Sequence, residues 1–190
     1  MNRIDGEITK CLEVLRRGGI LLYPTDTVWG IGCDATNADA VDKIFALKQR
    51  AEGKSMIVLL DSENRLESYI RDVPQVAYEL IEYAVKPLTI VYDGAKNLAE
   101  NVVAPDGSVG IRIVKDEFCN KLIGRFRKPI VSTSANVSGM PAPGSFSSVG
   151  AAIVNGVDYV VNLRQDEKNM SAPSTVLRLR ANGTIEFLRR

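Results

Sequence analysis

Three clusters of polar residues in this 190-residue sequence carry side chains suited to holding an anion. Thr25-Asp26-Thr27 follows the apolar run Ile20-Leu21-Leu22-Tyr23 and Pro24; Lys48-Gln49-Arg50, with Lys54 beyond it, closes an amphipathic stretch; Ser132-Thr133-Ser134-Ala135-Asn136 follows Ile130-Val131. At a helix C-terminus Arg50 can grip phosphate oxygens with its planar fork, with Lys48 and Lys54 as point charges. Each cluster also has a plainer use. Basic residues at a helix end complement its macrodipole, and Ser, Thr and Asn in turns bond their own backbone. Asp26 stands between a metal ligand and a turn whose hydroxyls satisfy freed N–H groups. Trp29 with Gly30 and Gly32 reads as an aromatic lid over the core and a tight return of the chain. Cys33 reads as a small buried residue rather than a nucleophile, because no base partner is visible. Ser174 is a strand-start hydroxyl or a ligand. The sequence contains no histidine, so no Ser-His-Asp or Cys-His device can be built and any catalysis must use other groups.

The elements that must position these residues follow from periodicity. Ile8, Cys11, Leu12 and Leu15 recur at helical spacing and the segment stops at Arg16-Arg17-Gly18-Gly19. Ala40, Val41, Ile44, Phe45 and Leu47 predict a second helix with Asp39 as its cap. A third starts near Pro74 and carries Val76, Leu80 and Ile81. Phe118 to Phe126 predicts a fourth. Strands are expected at 20–23, 55–60, 88–92, 109–114 and 129–131, then late at 158–161, 174–177 and 184–188. The intermixing of helices and strands predicts an α/β or mixed α+β domain whose sheet is buried on both faces at its centre. A Gly/Pro/Ser-rich loop spans Ser138 to Ser148, and its Gly139–Gly144 portion is the candidate mobile lid. Polar clusters beyond strand ends are where ligands bind in such sheets.

Length fits one domain over residues 1–190. Net charge is +1, so any basic site must be local rather than a general attraction to nucleic acid or membrane. Three widely spaced cysteines fit neither a disulfide framework nor a closed zinc site, and a reducing cytoplasm is the simplest setting. Neither a secretion signal nor a membrane span is expected. Residue types and spacing by themselves imply an anion-binding pocket and no particular substrate.

YPTDTVWGIGCDA, the LKQR segment with its following Lys54, VGIRI, IVSTSANVSG and APSTVLRL resemble, in this order, the signature segments of the YrdC-like family. They run from Tyr23 to Leu179. The resemblance implies a twisted mixed sheet flanked by helices around a concave, positively lined cavity. It implies a threonylcarbamoyl-adenylate synthase, which uses L-threonine, bicarbonate and ATP, with Mg²⁺, to make threonylcarbamoyl-AMP and pyrophosphate for tRNA modification. On the matching positions it assigns Thr27, Arg112, Ser132 and Ser174 to threonine. It assigns Lys48, Arg50, Lys54, Ser108, Ser134, Asn136 and Arg189 to ATP, with Lys48 and Arg50 as the catalytic charges. The shortness of the chain matches the single-domain type, which would rely on separate tRNA-modification proteins. The other reading of the same resemblance is a module that binds tRNA or double-stranded RNA without synthesis. The chain departs from many relatives at Lys54-Ser55-Met56, where they have Lys-Pro-Leu. It departs again at Val85-Lys86-Pro87, where they have Trp-Pro-Gly-Pro.

Overall fold

The computed structural model describes residues 2–49, 56–167 and 172–189. Helix α1 (Arg3–Arg16) begins where the Asn2 side chain accepts the Ile4 N–H and ends where Gly18 adopts φ +71°. It leads into β1 (Leu21–Tyr23), which turns back as β2 (Gly30–Gly32). Helix α2 (Ala38–Lys48) is capped by Asn37, whose side chain accepts from Ala40 N at 3.1 Å, so the expected cap Asp39 instead sits in the first turn. There its charge still complements the helix dipole. Then come β3 (Ile57–Leu60), the short α3 (Leu66–Tyr69), α4 (Val76–Glu82), β4 (Leu88–Tyr92) and β5 (Val109–Ile113). The chain continues through α5 (Glu117–Phe126), β6 (Ile130–Ser134), α6 (Ala151–Gly156), β7 (Tyr159–Val160), β8 (Thr175–Leu179) and β9 (Ile185–Arg189).

Among the described residues the strands form one nine-stranded mixed sheet in the order β7-β1-β2-β6-β3-β5-β4-β8-β9. Pairing register decides which residues share a face, because side chains alternate along a strand. Leu22, Ile31, Val58, Leu60, Ile90, Ile111, Val131 and Leu177 form one face and pack with Val41, Ile44 and Phe45 of α2 and Leu66 of α3. On the opposite face, Leu21, Tyr23, Leu59 and Ile130 pack beneath α1 and α5, against Ile8, Leu15, Phe118 and Leu122. Ser132 pairs with Ile57 and Arg112 with Leu59, so both belong to this second face. These two helices cover only part of it. What remains sets Ser132, Ser134 and Arg112 beside Gly30, Ile57 and Val176, and there the cavity forms.

The Gly30–Gly32 segment corrects the expectation of a closing turn: it is a strand paired with both β1 and β6. A Cβ on Gly32 would lie 2.4 Å from the Val131 carbonyl oxygen and 2.7 Å from the Tyr23 ring. Glycine is therefore required by close approach, not by turn geometry. Beneath α1, the buried Glu7 accepts hydrogen bonds from Tyr159 Oη at 2.7 Å and from the Asn162 N–H at 2.8 Å, tying the helix to the region of β7. Burial works to raise its carboxyl, but these bonds and the one from Lys10 bring it below the ordinary value. No described helix is long and apolar enough to cross a membrane.

Gly32→Ala should cost about 2–3 kcal/mol in chemical denaturation, because rigid neighbours block the added methyl. Gly6→Ala, in open space within α1, should instead stabilise by about 0.5–1 kcal/mol. A depressed carboxyl contributes stability that is present above its unfolded pKa and is lost as pH falls through the folded value. Glu7→Gln should therefore be less stable than wild type at pH 7, with the gap closing as both are titrated below about pH 4. Urea unfolding across pH measures it.

Candidate functional site

The uncovered half of the second face forms the floor of a cavity of about 340 Å³. Its wall carries Thr27 from the turn after β1, Arg112 from β5, Ser132 and Ser134 from β6, Ser174 from the approach to β8, and Arg189 from β9. These residues come from positions 27 to 189; sheet register brings the strand residues together, and the turn after β1 adds Thr27. Gly30 stands in the floor: a Cβ there would meet Ser132 Oγ at 3.2 Å and Thr25 Cγ2 at 3.3 Å. Ala142 from the Ser138–Ser148 loop closes part of the rim. That loop is held near its start, where the Asn136 amide donates to the Val137 and Met140 carbonyls.

Arg112 is 3 % exposed, so its guanidinium needs a partner. Asp26 supplies one, with Oδ1 lying 3.0 Å from Arg112 Nη2. The contact is a charge pairing rather than an aligned hydrogen bond, and Arg112 Nε has no hydrogen-bond partner among the described residues. Burial pushes the Asp26 carboxyl above its ordinary value, against the pull of Arg112. Arg189 donates from Nε to the Ser174 carbonyl at 3.0 Å and from Nη2 to Ser174 Oγ at 3.3 Å. Ser174 Oγ also lies 2.8 Å from Thr89 Oγ1. Burial, and then the charge of Arg112, lower the affinity of Arg189 for its proton. Two guanidiniums thus share a hydroxyl-lined cavity, an arrangement that binds a carboxylate or phosphate.

The other expected site residues divide by location. Lys48 is 1 % exposed, and its ammonium donates to the backbone carbonyls of Ser134 and Asn136. It fastens the end of β6 and the loop beyond. Ser108 is buried away from the cavity lining and donates to Asp106 Oδ1 at 2.6 Å; this bond, with the one from Arg178, holds Asp106 at about 2. Asn136 lies next to the cavity-lining segment, with its buried Oδ1 lacking a partner among the described residues. Arg50 and Lys54 lie outside the described residues. Among the described residues no group of three or more His, Cys, Asp or Glu is placed to hold a metal ion.

Two features had no signal in the sequence. Arg164 reaches back 139 positions to the Thr25 carbonyl at 3.3 Å, and binds Asp116 Oδ2 at 2.9 Å and Glu167 Oε2 at 2.7 Å. It braces the turn that carries Thr27. Asp26 also borders a smaller hollow of about 140 Å³ whose wall includes Lys86, Pro87 and Lys115. The segment that departs from the YrdC-like pattern at Val85-Lys86-Pro87 therefore lies behind the Asp26–Arg112 pair, not in the main cavity.

A family model named Sua5_yciO_yrdC, described as telomere recombination, matches residues 13–190. The chain is 30% identical over 158 residues to a threonylcarbamoyl-AMP synthase of Pseudoalteromonas translucida, covering 82% of this chain and 84% of that protein. It is likewise 30% identical over 168 residues to one of Vibrio parahaemolyticus, covering 87% and 90%. Among solved structures it resembles P. abyssi Sua5 complexed with L-threonine, with a TM-score of 0.85 and 27% identity over 96% of this chain. The chain spans about half (53%) of that Sua5 chain.

Lys48→Met removes the donor to two backbone carbonyls and should cost about 3 kcal/mol in urea unfolding. The loss should exceed that of any substitution at the exposed Lys121, whose surface pairing with Glu117 contributes little.

Proposed function

The chain belongs to the Sua5/YciO/YrdC family, and from that premise we propose that it is a threonylcarbamoyl-AMP synthase acting on L-threonine, bicarbonate and ATP. The observation that carries this reading is the buried Arg112, facing a hydroxyl-lined cavity with a guanidinium edge unmatched. A buried donor without a partner is costly, and the carboxylate of an amino acid would satisfy it. Thr27, Ser132 and Ser174 then line the space for the rest of the amino acid. Ser134 and the adjoining Asn136, fastened by Lys48, mark the end of the cavity where the nucleotide phosphates would lie; the resemblance to the family assigns Arg50 and Lys54 to the same phosphates. Arg189 sits beside Ser174 and Arg112, which favours the amino-acid end over a place on the phosphates.

The chemistry suits these groups. The amine of threonine and carbon dioxide form a carbamate, and a carbamate oxygen attacks the α-phosphorus of ATP as pyrophosphate departs. No side chain has to act as nucleophile, so the absence of histidine is no obstacle. The protein's share is alignment of the reactants and neutralisation of charge on the triphosphate. Mg²⁺ enters this reading with ATP, as part of that substrate. The product would pass to separate tRNA-modification proteins, and the three unpaired cysteines suit a cytoplasmic setting.

Purified protein incubated with MgATP, bicarbonate and L-threonine should release pyrophosphate only when threonine is present; release without threonine, or none, overturns the reading. Arg112→Gln should raise the KM for threonine by about tenfold to a hundredfold, the range expected for losing a charge-assisted bond. The KM for ATP should change far less.

A further inference from the structure

Thr25 does not line the cavity, yet it dictates what the neighbouring Thr27 can do there. A hydroxyl has one proton to donate and two lone pairs to accept with. Thr25 is 3 % exposed, and its Oγ1 makes three contacts within the turn. It donates to the Val28 carbonyl at 2.8 Å, since a carbonyl has no proton to offer. It accepts the Thr27 backbone N–H at 3.1 Å. The remaining contact is with Thr27 Oγ1 at 3.0 Å. With its own proton committed to Val28, Thr25 can only accept from the Thr27 hydroxyl. The proton of Thr27 is therefore turned toward Thr25, and its lone pairs are left for the cavity. Arg164 holds the whole turn from behind through the Thr25 carbonyl.

We propose that Thr25 is a positioning residue that fixes Thr27 as a hydrogen-bond acceptor, so that the cavity selects ligands presenting an N–H or O–H donor at that point. This rests on the threonine reading above. For an amino acid held by its carboxylate, the donor is the amine or the β-hydroxyl. A ligand with only an acceptor there would set lone pairs against lone pairs and leave Thr27 unsatisfied. Sites built around a buried polar group reject such analogues strongly.

Thr25→Val keeps the shape of the residue, including the methyl beside Gly30, and removes the acceptor that orients Thr27. It should raise the KM for threonine about tenfold while leaving the KM for ATP and kcat within about twofold of wild type. Thr25→Ser should behave as wild type. A general loss of stability would not produce that split. If wild type shows threonine-dependent pyrophosphate release and Thr25→Val leaves the KM for threonine unchanged, the positioning role is overturned. Absence of release by wild type overturns the synthase reading instead. Inhibition by 2-aminobutyrate, which lacks the hydroxyl, separates the two donors. An inhibition constant that Thr25→Val raises alongside the KM for threonine identifies the amine, and an unchanged one identifies the hydroxyl. Should Thr25→Val not fold, wild type alone decides. 2-Oxobutyrate keeps the carboxylate but offers neither donor, and it should compete with threonine far more weakly than L-serine, which keeps both the amine and the β-hydroxyl. Equal competition overturns the acceptor assignment.

Discussion

A guanidinium almost fully removed from water cannot stand alone, and the architecture around the cavity answers that constraint through Asp26. Arg112 comes from β5, near the centre of the sheet; Asp26 comes from the turn after β1, the strand next to the edge strand β7. Their contact draws the turn over the open half of the sheet face. It also makes an incomplete pair. Burial raises the Asp26 carboxyl, Arg112 lowers it and the charge of Asp116 raises it again. The contact lacks hydrogen-bond alignment, so part of the guanidinium's bonding capacity stays uncommitted. A fully matched pair would hold the turn equally well but would leave nothing for a ligand. Here one cation holds the turn and keeps bonding capacity for the proposed ligand.

The cavity exists because one face of the sheet is covered unevenly. Helices α1 and α5 seal it where the strands present Leu21, Tyr23, Leu59 and Ile130. Beyond their reach the same face carries Gly30, Ser132 and Arg112, which are too small or too polar to draw in another helix. The opposite face has the larger continuous apolar cluster and supplies rigidity. Side chains in the cavity are thus mounted on strands whose other side is locked in a packed core, which limits how far they can move. The turn bearing Thr27 is a loop. It reaches comparable definition through Thr25, whose hydroxyl ties the turn internally, and through Asp26 and Arg164, which join it to Arg112 of β5 and to Asp116 at the start of α5.

Most of this was legible in the sequence wherever a run of apolar residues settled the matter. The strands from Leu88 and Val109 and the helix ending at Phe126 lie where periodicity puts them. The strand Gly30–Gly32 was not legible, because glycine is disfavoured in strands unless close packing demands it, and that demand comes from Tyr23 and Val131 across the ladder. The cap of α2 is ambiguous in the sequence for a different reason: Asn37 and Asp39 are both capping residues, and only backbone geometry decides between them. The buried state of Lys48 was hidden too. Lys-x-Arg at a helix end looks solvent-facing until β6 is packed over it, when the ammonium becomes the donor for two carbonyls. Contacts such as Arg164 to Thr25 join remote segments without any local pattern.

The two arginines bear most directly on what the cavity is for. Like charges brought together at a desolvated site repel, and each guanidinium then gains more from an anion than an isolated surface arginine would. Arg189 shows the effect, with burial and Arg112 together weakening its hold on its proton. Its bonds to Ser174 position it without neutralising it, because a carbonyl and a hydroxyl carry no net charge. Asp26 offsets only the charge of Arg112, and does so imperfectly. The described lining of the cavity therefore carries uncompensated positive charge, and an anionic ligand would gain both its own bonds and relief of the repulsion. No Asp, Glu or His is among its described lining residues, and Asp26, paired with Arg112 from outside that lining, is the carboxylate a ligand would meet in competition. A site of this composition can orient and stabilise negative charge but has little capacity to shuttle protons. It fits a reaction in which the substrates provide the nucleophile and the protein provides place and charge.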